Sequence, residues 1–516
     1  MAASDSQAGE KDPRPADSLA SRYSRMIGVR FFAAAVLVPL SAAADLGPIL
    51  ERIISAPALS QAFAGMQVVR LSDGRVLYSH NSERPFLPAS NMKLFTTALA
   101  LSKLGPDYRL TTQISADVPI DAAGTLVGDL EFIGGGDPSL SGREYPYRKS
   151  AAPGAIYTFS AIEELADQLI ARGLKRVDGN VVGDDTRYVW EPQPGGWSSN
   201  SATEEYGAPV SALILHDNSF ALTLRPAEHA GGLARITLAP QFENFAIDNR
   251  VVTTERGERK IEFYRSASGR ELHAWGTIPK RDAGYTEELA IGDPALYAAE
   301  VLRDALARRG VAIRGGAVAR HRFPDESGGT GSAKPEIVLA EHRSPPLIDV
   351  LQVVDKVSQN LHAEVMLREV SVAAGRGGSR EEGLAAMNDF LAGVGIPKAD
   401  HEFTDGSGLS RATLVTPAAI VKLLAAMNQS KYREQWLGLL PIGGEDGTLG
   451  ARFAAHPEAR AIHAKTGTLD HVRALSGYAD TPRNGRVAFS FLVNNFDGPG
   501  AGVTAILDQL ALALLQ

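Results

Sequence analysis

Three short stretches of this chain carry residue types that can do acyl chemistry. In Pro88-Ala89-Ser90-Asn91-Met92-Lys93 a serine precedes a lysine by three positions, and the apolar run 94–101 follows and closes at Gly105. Residues three apart on a helix are neighbours, so the Lys93 amine can reach the Ser90 hydroxyl. A serine with a lysine held against it is a nucleophile with its own base, and a helix N-terminus favours the negative charge that develops there. Taken alone, Ser-x-x-Lys also describes an N-capping serine beside a solvated lysine. Ser358-Gln359-Asn360, between two predicted helices, and Lys465-Thr466-Gly467-Thr468, at the end of a predicted strand, change that balance. Each set is weak by itself; in this order and in these contexts the combination is specific.

The elements that must position these residues can be read from periodicity. A helix is expected over 47–64, then a hairpin whose strands 66–70 and 75–78 flank Ser72-Asp73-Gly74, leading into the Ser90 helix. From Pro345 the texture is helical, over 347–354, 359–374, 380–394, 416–428 and 432–440. Three strands follow, 461–465, 474–479 and 487–493, and a last helix spans 503–515. These strands lack partners unless they join the hairpin before Ser90. The expected fold is therefore α/β of the α+β kind, an antiparallel five-stranded sheet flanked by helices, built from both ends of the chain.

Between those ends, short β-like runs separated by Gly, Pro and Asp alternate with helices near 160–172 and 294–309. The reading is a large inserted α/β-rich region. The expected division is 1–44 as leader and extension, 45–105 as the first catalytic part, 106–343 as the insertion with a smaller nested piece near 225–272, and 344–516 as the second catalytic part. Gly134-Gly135-Gly136 lacks the lysine or following helix of a phosphate cradle and reads as a tight turn, and 328–332 reads as an exposed loop.

Composition narrows the function classes. A formal net charge of −8 over 516 residues, with no Lys/Arg run, speaks against nucleic acid as a partner. The absence of cysteine excludes disulfides, thiolate catalysis and Cys-ligated metals. Arg22, Arg25 and Arg30 precede the apolar run 31–38, and Ser41-Ala42-Ala43-Ala44 offers a cleavage site, the pattern of a signal peptide with translation starting at Met1 or Met26. The run is short for a membrane span, and so is the last helix, whose expected use is packing on the sheet. The expected location is the periplasm or cell surface, with no transmembrane span after leader removal.

The three motifs together resemble the penicillin-recognising serine enzymes. Spacing selects the group: 268 residues separate Ser90 from Ser358, and 107 separate Ser358 from Lys465. A large insertion between the first two motifs is similar to the class C low-molecular-mass penicillin-binding proteins, the D-alanyl-D-alanine carboxypeptidase/endopeptidase group. Residues 135–140, 405–411 and 444–449 look similar to that group as well.

The resemblance implies a transpeptidase/β-lactamase-like fold and a serine D-alanyl-D-alanine carboxypeptidase, with endopeptidase action as a further activity. Its partners would be peptidoglycan peptides ending in D-Ala-D-Ala and, as covalent inhibitors, β-lactam antibiotics; no metal or organic cofactor is implied. Ser90, Lys93 and Ser358 would be catalytic. Asn360, Lys465, Thr466, Gly467 and Thr468 would bind substrate, with the backbone amides of Ser90 and Thr468 forming the oxyanion hole. Asp185 resembles an acidic position that meets the free amine of the peptide's diamino acid; a turn aspartate is the alternative. Asp405, Ser407 and Arg411 read as support beneath the site. One departure stands out: Gln359 occupies the middle of the second motif in place of Asp, and no Glu-x-x-x-Asn element of the class A deacylating kind follows Ser358. A β-lactamase on the same scaffold and an inactive peptidoglycan-binding protein stay open as alternatives.

Overall fold

In the computed structural model, which describes residues 46–149, 159–240, 246–265, 271–324 and 337–516, the two ends of the chain share one sheet. Its strand order is Ile462–Leu469, Val472–Thr481, Gly485–Asn494, Phe63–Arg70 and Val76–His80, antiparallel throughout. Successive side chains on a strand point to opposite faces. Accordingly Leu475, Phe489, Phe491 and Val493 pack with Leu50, Leu507 and Leu510 of the first and last helices. Ala474, Ala488 and Leu492 turn the other way, onto Phe95, Leu351, Leu424 and Trp436. The α+β fold expected from the sequence is thus present, with the helical subdomain on one face and the terminal helices on the other. The expected leader and the 328–332 loop lie outside the described residues.

Two local readings need correction. The first helix ends at Ile54 rather than reaching residue 64: a short 3-10 turn, Pro57–Leu59, and the strand from Phe63 take over. Pro57 is the cause, because a proline ring disfavours helical geometry in the residue before it. Ser90 is not a capping residue either. It lies inside a 3-10 turn, Ala89–Asn91, that feeds the helix Met92–Leu104, and no side chain caps either element at its N-terminus.

The inserted region is built on a mixed sheet ordered Ala317–Arg322, Val181–Val189, Leu130–Ile133, Thr111–Ala116 and Ile337–Arg343, covered by helices Ser160–Ala171 and Pro294–Arg308. A second small sheet joins Ala246–Thr254, Glu271–Pro279 and Lys260–Arg265. Its buried residues Val251, Leu272 and Ile278 belong to the same apolar cluster as Phe132 and Leu302. The 210–215 stretch faces both ways: Val210, Ala212 and Ile214 enter the core of the helical subdomain, whereas Leu213 and Leu215 enter the core of the insertion. Buried Glu369 completes the join. It accepts hydrogen bonds from Tyr108, Arg187 and Tyr188 at 2.6 to 3.0 Å, an ion pair that burial makes hard to open.

Candidate active site

The three motifs meet at the edge of the terminal sheet. Ala89 holds a φ of 47°, a left-handed conformation unfavourable for a residue with a Cβ, and it turns Ser90 toward the cleft. One helical turn on, the fully buried Lys93 Nζ lies 3.0 Å from Ser90 Oγ, 2.6 Å from Asn360 Oδ1 and 2.8 Å from the Ser407 carbonyl. Both latter groups are pure acceptors. A neutral amine has two hydrogens and one lone pair; with the hydrogens given to Asn360 and Ser407, the lone pair faces the Ser90 hydroxyl. Burial is the main force lowering the Lys93 pKa, aided by the Lys465 charge, and Asp405, Glu364 and Asp355 oppose it; the balance falls at about 7.

Ser358 occupies the tight loop between helices Leu347–Lys356 and Asn360–Ala373, with a φ of 67°. Lys465 Nζ donates to Ser358 Oγ at 2.8 Å and to the Thr466 carbonyl at 3.0 Å. Burial also lowers the Lys465 pKa, to about 8, with Asp355 acting against it. Asp355 is itself fully buried; its Oδ2 accepts from Thr97 at 3.0 Å, and burial pushes its carboxyl up to about 7 against the pull of Lys465.

The strand Ile462–Leu469 is a sheet edge, so alternate residues turn their amides outward. Ala464 does so, donating to Pro441. The same parity puts the Thr466 and Thr468 N–H groups on that free edge, facing the turn that carries Ser90. Gly467 is where strand and turn touch: a Cβ there would stand 2.6 Å from the Pro88 carbonyl oxygen. Thr466 Oγ1 donates to Thr448 Oγ1 at 2.8 Å, which braces the strand from the 444–449 stretch. Thr468 is exposed.

Beneath the site, Glu364 Oε1 accepts from the Gly406 and Ser407 amides at 2.9 and 2.8 Å. Asp405 accepts from Ser410 N, Trp197 Nε1 and Thr413 Oγ1. Together they hold the loop whose carbonyl meets Lys93. The geometry therefore brings together Ser90, Lys93, Ser358, Asn360, Lys465, Thr466, Gly467 and Thr468. Asp185 does not offer a free carboxylate: it is 2% exposed, and its oxygens are held by Ser211 Oγ at 2.9 Å and His321 Nδ1 at 2.8 Å. Sequence reasoning missed Asp355 and Glu364, Asn91, whose side-chain amide donates to the Lys465 carbonyl, and Tyr206, whose backbone carbonyl accepts from Asn360 Nδ2. Asp355 stands three residues before Ser358, one helical turn, and that spacing was the only signal available for it. Among the described residues no group of three His, Asp or Glu side chains is arranged to hold a metal ion.

Comparison with known proteins agrees with this geometry. The chain is 31% identical over 479 residues to a D-alanyl-D-alanine carboxypeptidase of Actinomadura, covering 90% of this chain and 84% of that protein. It is 31% identical over 473 residues to carboxypeptidase DacB of Mycolicibacterium smegmatis, covering 89% and 82%. The crystal structure of penicillin binding protein 4 from Haemophilus influenzae has the same fold, with a TM-score of 0.77 at 24% identity over 90% of this chain and 97% of that one. The family model for D-Ala-D-Ala carboxypeptidase 3 (S13) matches residues 47–513, and with Ser90, Lys93 and the two further motifs in one cleft, the chain belongs to that family of serine peptidases.

Proposed function

We propose that this chain removes the terminal D-alanine from peptidoglycan stem peptides through an acyl-enzyme on Ser90. The observation that carries the reading is the Lys93 amine, 3.0 Å from Ser90 Oγ with its hydrogens engaged elsewhere. Lys93 takes the Ser90 proton as Oγ bonds to the carbonyl carbon of the penultimate D-alanine. The oxyanion forms opposite the Ser90 and Thr468 amides. Collapse breaks the C–N bond; the leaving nitrogen takes a proton through Ser358, which Lys465 backs and the proton on Lys93 replaces, and D-alanine departs with Lys93 neutral again. Water then gives a proton to Lys93 as its oxygen bonds to the ester carbonyl, and that proton returns to Ser90 Oγ as the ester C–O bond breaks. Asn360 orients Lys93 and the substrate amide, and Lys465, Thr466 and Thr468 supply a cationic, hydroxyl-rich cradle for the terminal carboxylate. A β-lactam enters by the same attack and stays as an adduct. Cross-linked peptides are a further substrate of this reading, and the leader motif at 1–44 supports action outside the cytoplasm. Among the described residues no helix is long and apolar enough to cross a membrane.

Intact-mass measurement after penicillin treatment, paired with D-alanine release from a pentapeptide, tests the proposal. The expected result is a persistent adduct on Ser90 and D-alanine release, both abolished by Ser90→Ala. Rapid loss of the adduct would instead identify a β-lactamase, and no adduct at all an inactive binding protein. Cleavage of a cross-linked dimer under the same conditions measures the endopeptidase share.

A further inference from the structure

Gln359, which departs from the Asp of the Ser-Asp-Asn pattern, is 5% exposed and has both polar atoms of its side chain hydrogen-bonded. Its Oε1 accepts from Leu361 N at 2.6 Å and so caps the helix Asn360–Ala373. Its Nε2 donates two ways, to Glu205 Oε1 at 3.0 Å and to Asp217 Oδ2 at 3.2 Å. Both carboxylates belong to the inserted region. Asp217 is also held by the Arg143 guanidinium and by His362 Nε2 at 2.9 Å, and Tyr206, next to Glu205, accepts from Asn360 Nδ2 at 2.8 Å.

The inserted chain adopts an unfavourable backbone to make these contacts. His216, Asp217 and Asn218 have φ values of 51°, 54° and 54°, three consecutive left-handed residues, none of them glycine. Asn218 holds the turn through Leu215 N at 3.2 Å and the Pro209 carbonyl at 3.0 Å. An aspartate at 359 could still cap the helix. It would have no hydrogen to give, and it would set a third carboxylate against Glu205 and Asp217 in a site where like charges repel strongly. The amide is what lets two acids stand beside the second motif.

We propose that Gln359 is a positioning residue through which Glu205 and Asp217 of the inserted region hold Ser358 and Asn360 in register with Lys465 and Lys93. The inference rests on the acylation reading above. Glu205 and Asp217 act through Gln359; neither touches the reacting atoms. The inserted region is thus part of the catalytic apparatus, and the amide at 359 and the acids at 205 and 217 form one matched set.

The test uses Gln359→Glu, which keeps the shape and exchanges the donor for a charge, measured by stopped-flow acylation with a fluorescent penicillin. The expected outcome is a fall of tenfold or more in the acylation rate constant, with the dissociation constant of the preceding complex changed less than threefold. In Gln359→Glu/Glu205→Gln the amide moves across the hydrogen bond to residue 205 while the carboxylate at 359 still faces Asp217, so the rate is expected to rise at least threefold above that of the single variant and to stay below wild type. Gln359→Glu acylating at the wild-type rate, or the double variant proving no faster than the single one, would overturn the proposal. Thermal unfolding of each variant identifies a lesion of folding, and the swapped pair keeps the question decidable if the single variant unfolds. A wild-type protein that does not acylate at all would remove both this inference and the functional reading; wild-type acylation with an undisturbed Gln359→Glu would remove this inference alone.

Discussion

The Asn91 side-chain amide donates to the Lys465 carbonyl at 3.0 Å, a bond between residues 374 positions apart that ties the Ser90 turn directly to the Lys-Thr-Gly strand. The distance between Ser90 and Lys465 is therefore set by one buried hydrogen bond and by the close approach of Gly467 to Pro88.

Asn91→Ala removes that tie and leaves the site looser without touching any reacting group. The expected cost is about 1–2 kcal/mol of stability, read from urea unfolding. The acylation rate is expected to fall by more than this loss of folded population explains, because the turn and the strand then drift independently.

Lys93 gives the pH profile its acidic limb. With a pKa lowered by burial to about 7, the amine is protonated and inert as a base below that pH and free above it. The acylation rate should rise with pH through this region, falling about tenfold per pH unit on the acid side. Lys93→Arg is charged and offers no lone pair at any accessible pH, so acylation should drop by about 10²–10⁴ on the plateau above pH 7 and lose the acidic limb.

Asp355 moves that limb. Its own carboxyl is pushed up to about 7, and where it is ionised, at the upper end of the limb, its charge raises the affinity of both Lys93 and Lys465 for protons, so Asp355→Asn should lower both pKa values further. The acidic limb of the acylation profile should then shift to lower pH, with the plateau reached earlier. A shift to higher pH, or none, would show that the carboxylate does not act on Lys93.

Gly467→Ala tests the strand–turn contact. The new methyl would meet the Pro88 carbonyl oxygen at 2.6 Å and the Ala89 Cβ at 3.2 Å, so the edge strand has to move away from Ser90. The expected destabilisation is about 1–3 kcal/mol. Acylation should be nearly lost in protein that is still folded by circular dichroism, because the Thr468 amide moves with the strand.

Much of this site was legible in the chain because its chemistry is local in type. Serine, lysine and asparagine at fixed short spacings, each at a helix start, a loop or a strand end, are the residue types acyl transfer uses, and each motif spans only a few neighbouring positions. The helices 347–356, 360–373 and 380–393 could likewise be read within a residue or two, since their apolar stripes repeat at the helical period. The 3-10 turn under Ser90 could not. It depends on Gly408 and Gly467, which leave room for Ala89 and its strained φ, and those contacts come from far along the chain.

Sequence by itself determined the α+β class and singled out Ser90 and Lys93 as a pair one helical turn apart, because periodicity and short spacings are properties of a few neighbouring residues. Tertiary structure alone decided which groups face one another. It buried Lys93 beside Lys465 and so lowered its pKa, it enclosed Asp185 behind Ser211 and His321, and it placed Glu205 and Asp217 on the Gln359 amide. Burial and charge proximity are sums over the whole folded chain, and no local pattern of residues contains them.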